Sequence, residues 1–309
     1  MTFATLEEVA LQHFDDLHKR GELQWIETTP EAFESSPFDV RATTQIHQKA
    51  LLAKRPPQFE FRVVLAYKNK PQLLANDKGR TEATNPFGND DPEFTIPNPT
   101  SKNHILRLNK FSAVRPQFVL HTAEFERQSD PLSLSDLSAL WDALCNLGKE
   151  RYVGLYNCGE EAGSSIGHKH MQILPKPSQK LFPDELVTSS SHSHDEEILS
   201  HPDVPYLHGL LPIPPNATAS AIFSSYQRLC QHLQIAPGAP HNVFSTDTWI
   251  IVIPRSKARA GTSDSAVNAA SMLGVVWVKT ESELRAWKEY GPMRVLEEVG
   301  VKRNMSGGN

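Results

Sequence analysis

Apolar residues recur at helical spacing in four stretches of the chain. The clearest lies in SLSDLSALWDALCNLGKE, where the apolar positions follow one face of a helix: Leu137, Leu140, Trp141, Leu144 and Leu147. Ser133 or Ser135 is expected to cap this helix and Gly148 to end it. Similar spacing predicts helices at the N-terminus, in ASAIFSSYQRLCQHLQI and from Thr280 onward, where Glu283 would complete a capping box.

Short runs rich in β-branched and aromatic residues predict strands between these helices. They are bounded by turn residues and begin at Phe61, His104, Gln117, Tyr152, Trp249 and Val275. Because the strands are not separated by regular helices, the pattern predicts an α+β fold with a largely antiparallel sheet and argues against a doubly wound one.

Two polar stretches rich in Pro, Asn, Ser and Asp, 76–103 and 175–218, are predicted to be loops or linkers. The second predicts a division into a catalytic half 1–180, a linker 181–218 and a back half 219–309. Each half contains a strand pair of similar cadence, LRLNKFSAVRPQFVLHT and HNVFSTDTWIIVIPRSK. This similarity is a weak hint of internal duplication.

Composition narrows the possible partners. A net charge of −5 argues against broad binding to nucleic acid, and no run approaches the ~18 apolar residues of a membrane-spanning helix. The three cysteines form no CxxC pair, and acidic residues interrupt the N-terminal segment where a signal peptide would be apolar. We therefore expect a cytoplasmic protein, with the nucleus as a second location, that acts on small molecules.

The segment HKHMQIL contains unusual polar side chains for a strand. Alternation places His168, His170 and Gln172 on one face and Lys169, Met171 and Ile173 on the other. Two imidazoles and an amide in a row need hydrogen-bond partners if they are buried. Their common face is therefore predicted to be the wall of a site.

The small residues before this segment, GEEAGSSIG, could close around phosphate oxygens through backbone N–H groups. A neutral histidine beside such a cradle can attack phosphorus, provided that one ring nitrogen is free and an acceptor holds the other. Two other interpretations stay open on the residues alone. Histidines on strands are commonly structural, and His-x-His can bind zinc, although no third ligand lies at an obvious spacing.

The chain resembles the transferase branch of the histidine triad superfamily, and within it the diadenosine tetraphosphate phosphorylases, also called ATP adenylyltransferases. HKHMQI after NCGEEAGSSIG carries the H-x-H-x-Q form of the motif. Further matches occur in the family's order along nearly the whole chain: NPF at 85–87, LNKF at 108–111, EFERQSDPLS at 124–133, DTWIIVIPRSK at 247–257 and VNAASMLGVVWVK at 267–279.

This resemblance implies an α+β fold of the histidine triad type, with two half-units fused in one polypeptide. It implies cleavage of diadenosine tetraphosphate by inorganic phosphate to ATP and ADP. His170 would be the nucleophile that forms an adenylyl-histidine, Gln172 would hold an adenylyl oxygen, and His168 would support the site. The positions corresponding to nucleotide and phosphate contacts in the family are Lys54, Asn109, Lys110, Asn157, Gly163, Ser164, Ser165, Ile166, Gln172, Asn268, Ala269, Ala270 and Lys279.

The resemblance also sets expectations for partners. The ligands would be diadenosine tetraphosphate, ATP, ADP and phosphate, handled by a monomer. Mg²⁺ is expected to accompany the polyphosphate, without a dedicated metal site or a tightly bound cofactor. Two departures stand out. Family members often have His where this chain has Gln117, and NSLGFAG where it has NAASMLG. The first is expected to affect a peripheral contact and the second the adenosine pocket, and neither is expected to touch the catalytic trio.

Three other functions are compatible with parts of this sequence. A hexose-1-phosphate uridylyltransferase shares the H-x-H-x-Q logic, but Pro would stand where this chain has Lys169, and a cysteine-containing metal site would be usual. A histidine triad hydrolase would carry His in place of Gln172. A noncatalytic nucleotide- or metal-binding protein has HSHDEE at 192–197 as its only independent support, and that segment lies in a Ser-rich stretch.

Overall fold

The computed structural model describes residues 4–34, 58–69, 86–87, 91–97, 102–148, 151–189, 197–261 and 267–303. The helices within these ranges are α1 Leu6–Lys19, α2 Leu134–Leu147, α3 Phe182–Ser189, α4 Ala219–His232, α5 Ala269–Met272, α6 Glu281–Tyr290 and α7 Pro292–Val299. The strands are β1 Glu31–Glu34, β2 Gln58–Val63, β3 His104–Leu108, β4 Phe118–Thr122, β5 Tyr152–Cys158, β6 His170–Pro175, β7 Gly209–Pro212, β8 His241–Ser245, β9 Trp249–Pro254 and β10 Val275–Val278. The predicted α+β class is confirmed.

The four helices predicted from apolar spacing are all present, and polar N-caps begin them. Ser133, not Ser135, caps α2, because its hydroxyl accepts the Asp136 N–H and the Asp136 carboxylate accepts the Ser133 N–H. The capping box predicted at Thr280 is only half correct. Its hydroxyl accepts from Glu283, but the Glu283 carboxylate accepts the N–H of Lys279 instead.

Seven strands form one antiparallel sheet in the order β3-β4-β6-β5-β8-β9-β7. The front half of the chain supplies four neighbouring strands, and the pairing of β5 with β8 joins them to the strands of the back half. A second sheet, β1-β2-β10, combines an antiparallel and a parallel pair and also draws on both halves. The predicted fusion of two half-units therefore takes the form of shared sheets.

The large sheet separates two hydrophobic cores. On one face, side chains such as Met171 and Ile173 pack among residues of α1, α2 and α4. Gly154 of β5 lies so close to α2 that an added Cβ would come within 2.6 Å of Leu140. On the other face, Leu155, Leu174 and Phe244 pack with the small sheet and with α6 and α7. This second face is the one that carries His168, His170 and Gln172.

Several boundaries differ from the sequence-based ones. The run predicted from Phe61 as one strand is β2 followed by a 3₁₀ turn, Leu65–Asn69. The stretch 181–218, predicted to be a linker, contains α3 and β7 within its described part. There Asp184 accepts the Trp249 indole N–H at 2.7 Å, and β7 pairs with β9. The three-part division of the chain stays a prediction. Within the described ranges, no helix is long and apolar enough to cross a membrane.

Candidate active site

The triad segment runs along the middle of the large sheet. Strand β6 begins at His170, whereas the pattern predicted a strand from His168. His168 makes an isolated β-bridge to Arg127 just before β6. His170 lies opposite His121 of β4, and Gln172 lies between Val119 of β4 and Leu155 of β5. The predicted alternation holds, because Met171 and Ile173 point into the helical core.

The imidazole of His170 has a defined tautomer. Its Nδ1 lies 2.8 Å from the backbone carbonyl oxygen of His168. Since a carbonyl only accepts hydrogen bonds, Nδ1 carries the proton, and the lone pair of the neutral ring is on Nε2. The residue is 6% exposed, and the ring of Phe87 lies edge-on at 5.4 Å. This is the geometry that a histidine nucleophile requires.

His168 is completely buried and faces its neighbours rather than solvent. Its Nε2 donates to the carbonyl oxygen of Thr122 at 2.8 Å and lies 3.0 Å from the Thr122 hydroxyl. The side chain thus anchors the segment to β4, while the backbone carbonyl of the same residue holds His170. His168 therefore positions the imidazole of His170.

Gln172 is half-buried, and its carboxamide is held by a neighbouring glutamine. The Gln172 Oε1 accepts from Nε2 of Gln117 at 2.9 Å, and the Gln117 Oε1 accepts the Ala113 N–H at 2.7 Å. The expectation that Gln117 is peripheral and does not touch the catalytic trio is therefore wrong. Gln117 sits diagonally across the β4–β6 pair, within reach of a long side chain.

The side chain of Gln128 hydrogen-bonds both backbone groups of His170. Its Oε1 accepts the His170 N–H at 2.7 Å, and its Nε2 donates to the carbonyls of His170 at 3.0 Å and Asn157 at 2.8 Å. The registered pairs of β5 with β6 end at Tyr156 and Met171, so the Gln128 side chain bridges the two strands where they separate. Gln128 lies in the family-like segment 124–133, and no periodicity or motif predicts its contacts.

A buried ionic group lies beneath the triad, on the helical side of the sheet. Lys169 is 3% exposed, and its Nζ contacts Asp136 at 2.8 Å and Glu126 at 2.9 Å. The other oxygen of Asp136 is 2.8 Å from Nε2 of His104. Burial alone would raise the pKa of Asp136, but the His104 hydrogen bond and the Lys169 charge outweigh it and hold the pKa well below its ordinary value.

His121 is a third buried imidazole on the catalytic face. Its ring stacks on Phe87 at 4.6 Å and meets His168 edge-on at 5.5 Å. Nδ1 donates to the Thr122 carbonyl, and Nε2 has no hydrogen-bond partner among the described residues. Burial, followed by the nearby charges of other basic groups, lowers the pKa of His121 to about 4, so this ring is neutral at physiological pH.

The predicted phosphate-binding loop meets the back half of the chain. Asn157 is buried, and its Oδ1 accepts from Asn242 at 3.0 Å and from the Ala269 N–H at 3.0 Å. Arg255, also buried, donates to Asn242 at 2.8 Å and to carbonyl oxygens of both halves. At Gly163, with φ of +93°, a Cβ would lie 2.6 Å from the Val267 carbonyl oxygen. The structure thus brings together the loop, Asn157 and residues 267–270.

The remaining predicted contacts are more scattered. The Ser164 hydroxyl donates to the Ile166 carbonyl at 2.9 Å, which shapes the loop, and Ser165 lies half-buried beside it.

Asn109 is in the β3–β4 connection and accepts the Phe111 N–H, while the next residue, Lys110, is exposed. Lys279 follows β10. Asn268 caps α5 through Ser271. Lys54 and most of HSHDEE, residues 192–196, lie outside the described residues.

A cavity of about 780 Å³ lies along β5 and β6, and His168, His170 and Gln172 are not among its lining residues. Its apolar lining includes Leu155, which lies opposite Gln172, together with Leu174, Phe244, Leu273 and Trp277. Two of its polar atoms, Thr28 Oγ1 and Trp277 Nε1, are buried and make no hydrogen bond within the described part of the chain. No group of three or more His, Cys, Asp or Glu side chains in that part could hold a metal ion.

Sequence reasoning missed His121, Thr122, Gln128 and Arg255, and it wrongly made Gln117 peripheral. Each acts through pairing between segments distant in sequence, which periodicity does not reveal. A weak signal existed for Gln117 and His121, because alternation along the strand predicted from Gln117 puts both on one face. The pairing of β4 with β6 then brings that face to the triad.

Comparisons with known proteins identify a family for this chain. Residues 3–186 match the Ap4A phosphorylase N-terminal domain, and residues 202–302 match the ATP adenylyltransferase C-terminal domain. The chain therefore belongs to the Ap4A phosphorylase family.

Relatives in Saccharomyces cerevisiae support the same assignment. Diadenosine 5',5'''-P1,P4-tetraphosphate phosphorylase 2 is 31% identical over 238 residues, covering 68% of this chain and 73% of the relative. Protein APA1 is 29% identical, covering 68% and 74%. The crystal structure of yeast Ap4A phosphorylase Apa2 in complex with Ap4A has a TM-score of 0.77 at 25% identity, covering 98% of this chain and 99% of that one.

Proposed function

We propose that this chain cleaves diadenosine tetraphosphate with inorganic phosphate to give ATP and ADP, through an adenylyl group held covalently on His170. The observation that carries the covalent step is the hydrogen bond from His170 Nδ1 to the His168 carbonyl. It places the lone pair on Nε2, on the face that also carries Gln172. Membership of the Ap4A phosphorylase family supports the substrate and the acceptor.

The reaction then proceeds in two displacements. His170 Nε2 attacks the α-phosphorus, the bond from that phosphorus to the bridging oxygen breaks, and ATP leaves. A phosphate oxygen next attacks the same phosphorus, the P–N bond breaks, and ADP leaves with the imidazole restored. Throughout, Nδ1 keeps its proton, and its hydrogen bond to the His168 carbonyl stabilises the positive charge that the ring gains in the intermediate.

Gln172 would bind an oxygen of the adenylyl group, as the resemblance implies. Its neighbour Gln117 already satisfies its Oε1, so the Nε2 donor is the part available to a phosphoryl oxygen. A donor placed beforehand at a developing charge stabilises the transition state more than the ground state. The loop 163–166, Asn157, Asn109, Lys110, Lys54, Lys279 and residues 268–270 are retained as proposed nucleotide contacts.

We place a nucleoside of the substrate in the cavity lined by Leu155, the residue of β5 that pairs with Gln172. The volume lies within the usual range for small-molecule sites, roughly 300–1,000 Å³. The basic groups of its lining are already paired, Arg62 with Glu60, Arg115 with Asp15 and Lys176 with Asp247. Apolar walls with two unpaired polar atoms and internally neutralised charges suit a base and ribose better than a polyphosphate.

Mg²⁺ would enter with the polyphosphate rather than bind a site of its own. A tetraphosphate bridge carries about four negative charges, which divalent ions neutralise. The described residues offer no cluster of acidic, histidine or cysteine ligands for it. A monomeric enzyme in the cytoplasm, with the nucleus as a second location, completes the proposal.

The decisive experiment follows label from phosphate into ADP. Enzyme, ADP and radioactive phosphate are mixed without ATP or dinucleotide, and the β-position of ADP is expected to become labelled. Mass spectrometry of enzyme mixed with ADP should find an AMP adduct on the peptide containing HKHMQIL. A protein that binds ADP yet shows neither exchange nor adduct would overturn the covalent route, and absence of phosphate-dependent cleavage of diadenosine tetraphosphate would overturn the activity itself.

A further inference from the structure

The side chains of Gln117 and Gln172 belong to a hydrogen-bond chain with a defined direction. It starts at the backbone N–H of Ala113, which donates to Gln117 Oε1 at 2.7 Å. It continues from Gln117 Nε2 to Gln172 Oε1 at 2.9 Å. Gln117 is completely buried, so water cannot replace either contact. The Tyr67 hydroxyl also hydrogen-bonds the Gln117 side chain. Because a hydroxyl can both donate and accept, this contact is compatible with either orientation of the Gln117 amide.

The direction of this chain follows from chemistry alone. The oxygen and nitrogen of an amide side chain have nearly the same shape, so their assignment needs an unambiguous partner. A backbone N–H can only donate, and the atom of Gln117 that faces Ala113 must therefore be the oxygen. The nitrogen of Gln117 then faces Gln172 and requires its oxygen. The Nε2 of Gln172 is consequently the group left for a ligand.

We propose that Gln117 is a positioning residue that orients the Gln172 carboxamide, so that its N–H donors face the adenylyl group on His170. This inference rests on the proposed function. Without Gln117, the Gln172 amide could rotate by half a turn and present its oxygen to a phosphoryl oxygen, where two acceptors repel. The backbone N–H of Ala113 thus determines which atom of a catalytic side chain meets the substrate.

The test compares three substitutions at one position. At a pH where its carboxyl is ionised, Gln117→Glu offers only acceptors. It then still binds the Ala113 N–H but requires the N–H of Gln172, which turns the Gln172 amide around. We expect a fall in kcat of roughly 100-fold. Gln117→Met removes the orienting contact without imposing the reverse, and a fall of roughly 10-fold is expected. Gln117→His keeps one acceptor and one donor, and it should restore kcat to within a few-fold of wild type.

A double-mutant cycle separates orientation from the new negative charge of Gln117→Glu. If Gln117 acts through Gln172, then Gln117→Glu should have little further effect on kcat in a Gln172→Ala background. Tyr226→Phe is the structural control, because it removes buried hydrogen bonds to Leu132 and His241 on the opposite face of the sheet. It should lower the melting temperature and leave kcat unchanged.

Two outcomes would overturn the inference. One is a Gln117→Glu effect of equal size with and without Gln172, which would mark simple charge repulsion. The other is a set of Gln117 variants that change the melting temperature but not kcat. The AMP adduct on wild-type enzyme tests the proposed function separately, because its absence would overturn that function. An adduct on wild-type enzyme, together with additive effects of Gln117→Glu and Gln172→Ala on kcat, would overturn only the role of Gln117.

Discussion

At the scale of single residues, a backbone carbonyl rather than a side chain fixes the proton on His170. The carbonyl of His168 accepts from His170 Nδ1, while the His168 imidazole is turned toward Thr122. The two histidines of the motif therefore have different duties. His170 provides the lone pair, and His168 provides an anchor for the backbone that holds it.

This division predicts the ranking of two alanine variants. His170→Ala removes the proposed nucleophile and should lower kcat by roughly 10⁴-fold or more. His168→Ala keeps the carbonyl that binds His170 and should lower kcat by only about 10–100-fold. Steady-state phosphorolysis of diadenosine tetraphosphate measures both, with exposed His232→Ala as a matched control of unchanged activity. The reverse ranking would mean that the two roles are exchanged.

Alternation in HKHMQIL was sufficient to predict which side chains share the catalytic face, because a strand's period does not depend on its partners. It was not sufficient to find Gln117 or Gln128. Their contacts arise from the β4–β6 pairing and from a loop that crosses the gap between β5 and β6. Such contacts require the register between segments, which a single sequence does not state.

At the scale of elements, the start of β6 is held by a side chain in place of a neighbouring strand. Gln128 satisfies both backbone groups of His170 and the carbonyl of Asn157. Its own backbone bonds Gly167 and Gly159, at the two ends of the predicted phosphate-binding loop. Gln128 therefore lets the sheet open for this loop without leaving buried polar groups unpaired.

Gln128→Met tests this function of the loop after β4. The variant preserves length but leaves the N–H of His170 and two carbonyls without their partner. We expect the free energy of unfolding to fall by about 3 kcal/mol or more, since each of the three unsatisfied buried groups costs about 1–3 kcal/mol. Adduct formation on His170 should slow in parallel. Urea unfolding and mass spectrometry measure the two effects.

The matched control is Gln227→Met, at an exposed position of α4. It makes the same chemical change away from the site and should alter stability by less than about 0.5 kcal/mol. A Gln128→Met protein as stable and as readily adenylylated as this control would show that other contacts hold the strand.

Elements with strong local signals were predicted well, and those set by tertiary contacts were not. The helix at Leu137 has apolar spacing, a Ser133 cap and a Gly148 end, all local features. Pro, Ser and Asp dominate the stretch that contains β7 and α3, so composition predicts a linker there. Pairing with β9 and the bond from the Trp249 indole to Asp184 order them instead.

At the scale of the whole molecule, the two halves are joined by a buried polar group next to the site. Arg255 donates to the carbonyls of Ala162 and Val267, and Asn242 donates to Asn157. Burial lowers the pKa of Arg255 to about 9, so the group remains charged at neutral pH and is satisfied by several acceptors. The hydrogen bonds that join the two halves therefore also hold the predicted phosphate-binding loop in place.

Buried neutral histidines make the stability of the whole molecule sensitive to acid. Burial lowers the pKa of His121 and of His208 to about 4, from an ordinary value of 6.5. His121 faces Phe87, Arg107, His168 and His170, and His208 accepts the His201 N–H and lies near Arg303. The basic groups near each histidine favour its neutral ring, because protonation would place a second positive charge beside them.

The sign of the pH dependence follows from these two values. Below pH 6.5 the unfolded chain binds protons that the folded one refuses, so stability is full above that pH and falls toward pH 4. Between pH 7 and pH 5 we expect roughly 2 kcal/mol of lost stability for each histidine. Urea unfolding at the two pH values measures the difference. His208→Gln keeps an acceptor for the His201 N–H but cannot titrate, so it should remove roughly 2 kcal/mol of the difference, whereas exposed His232→Gln should remove none. A pH dependence unchanged by His208→Gln would place the acid sensitivity in other groups.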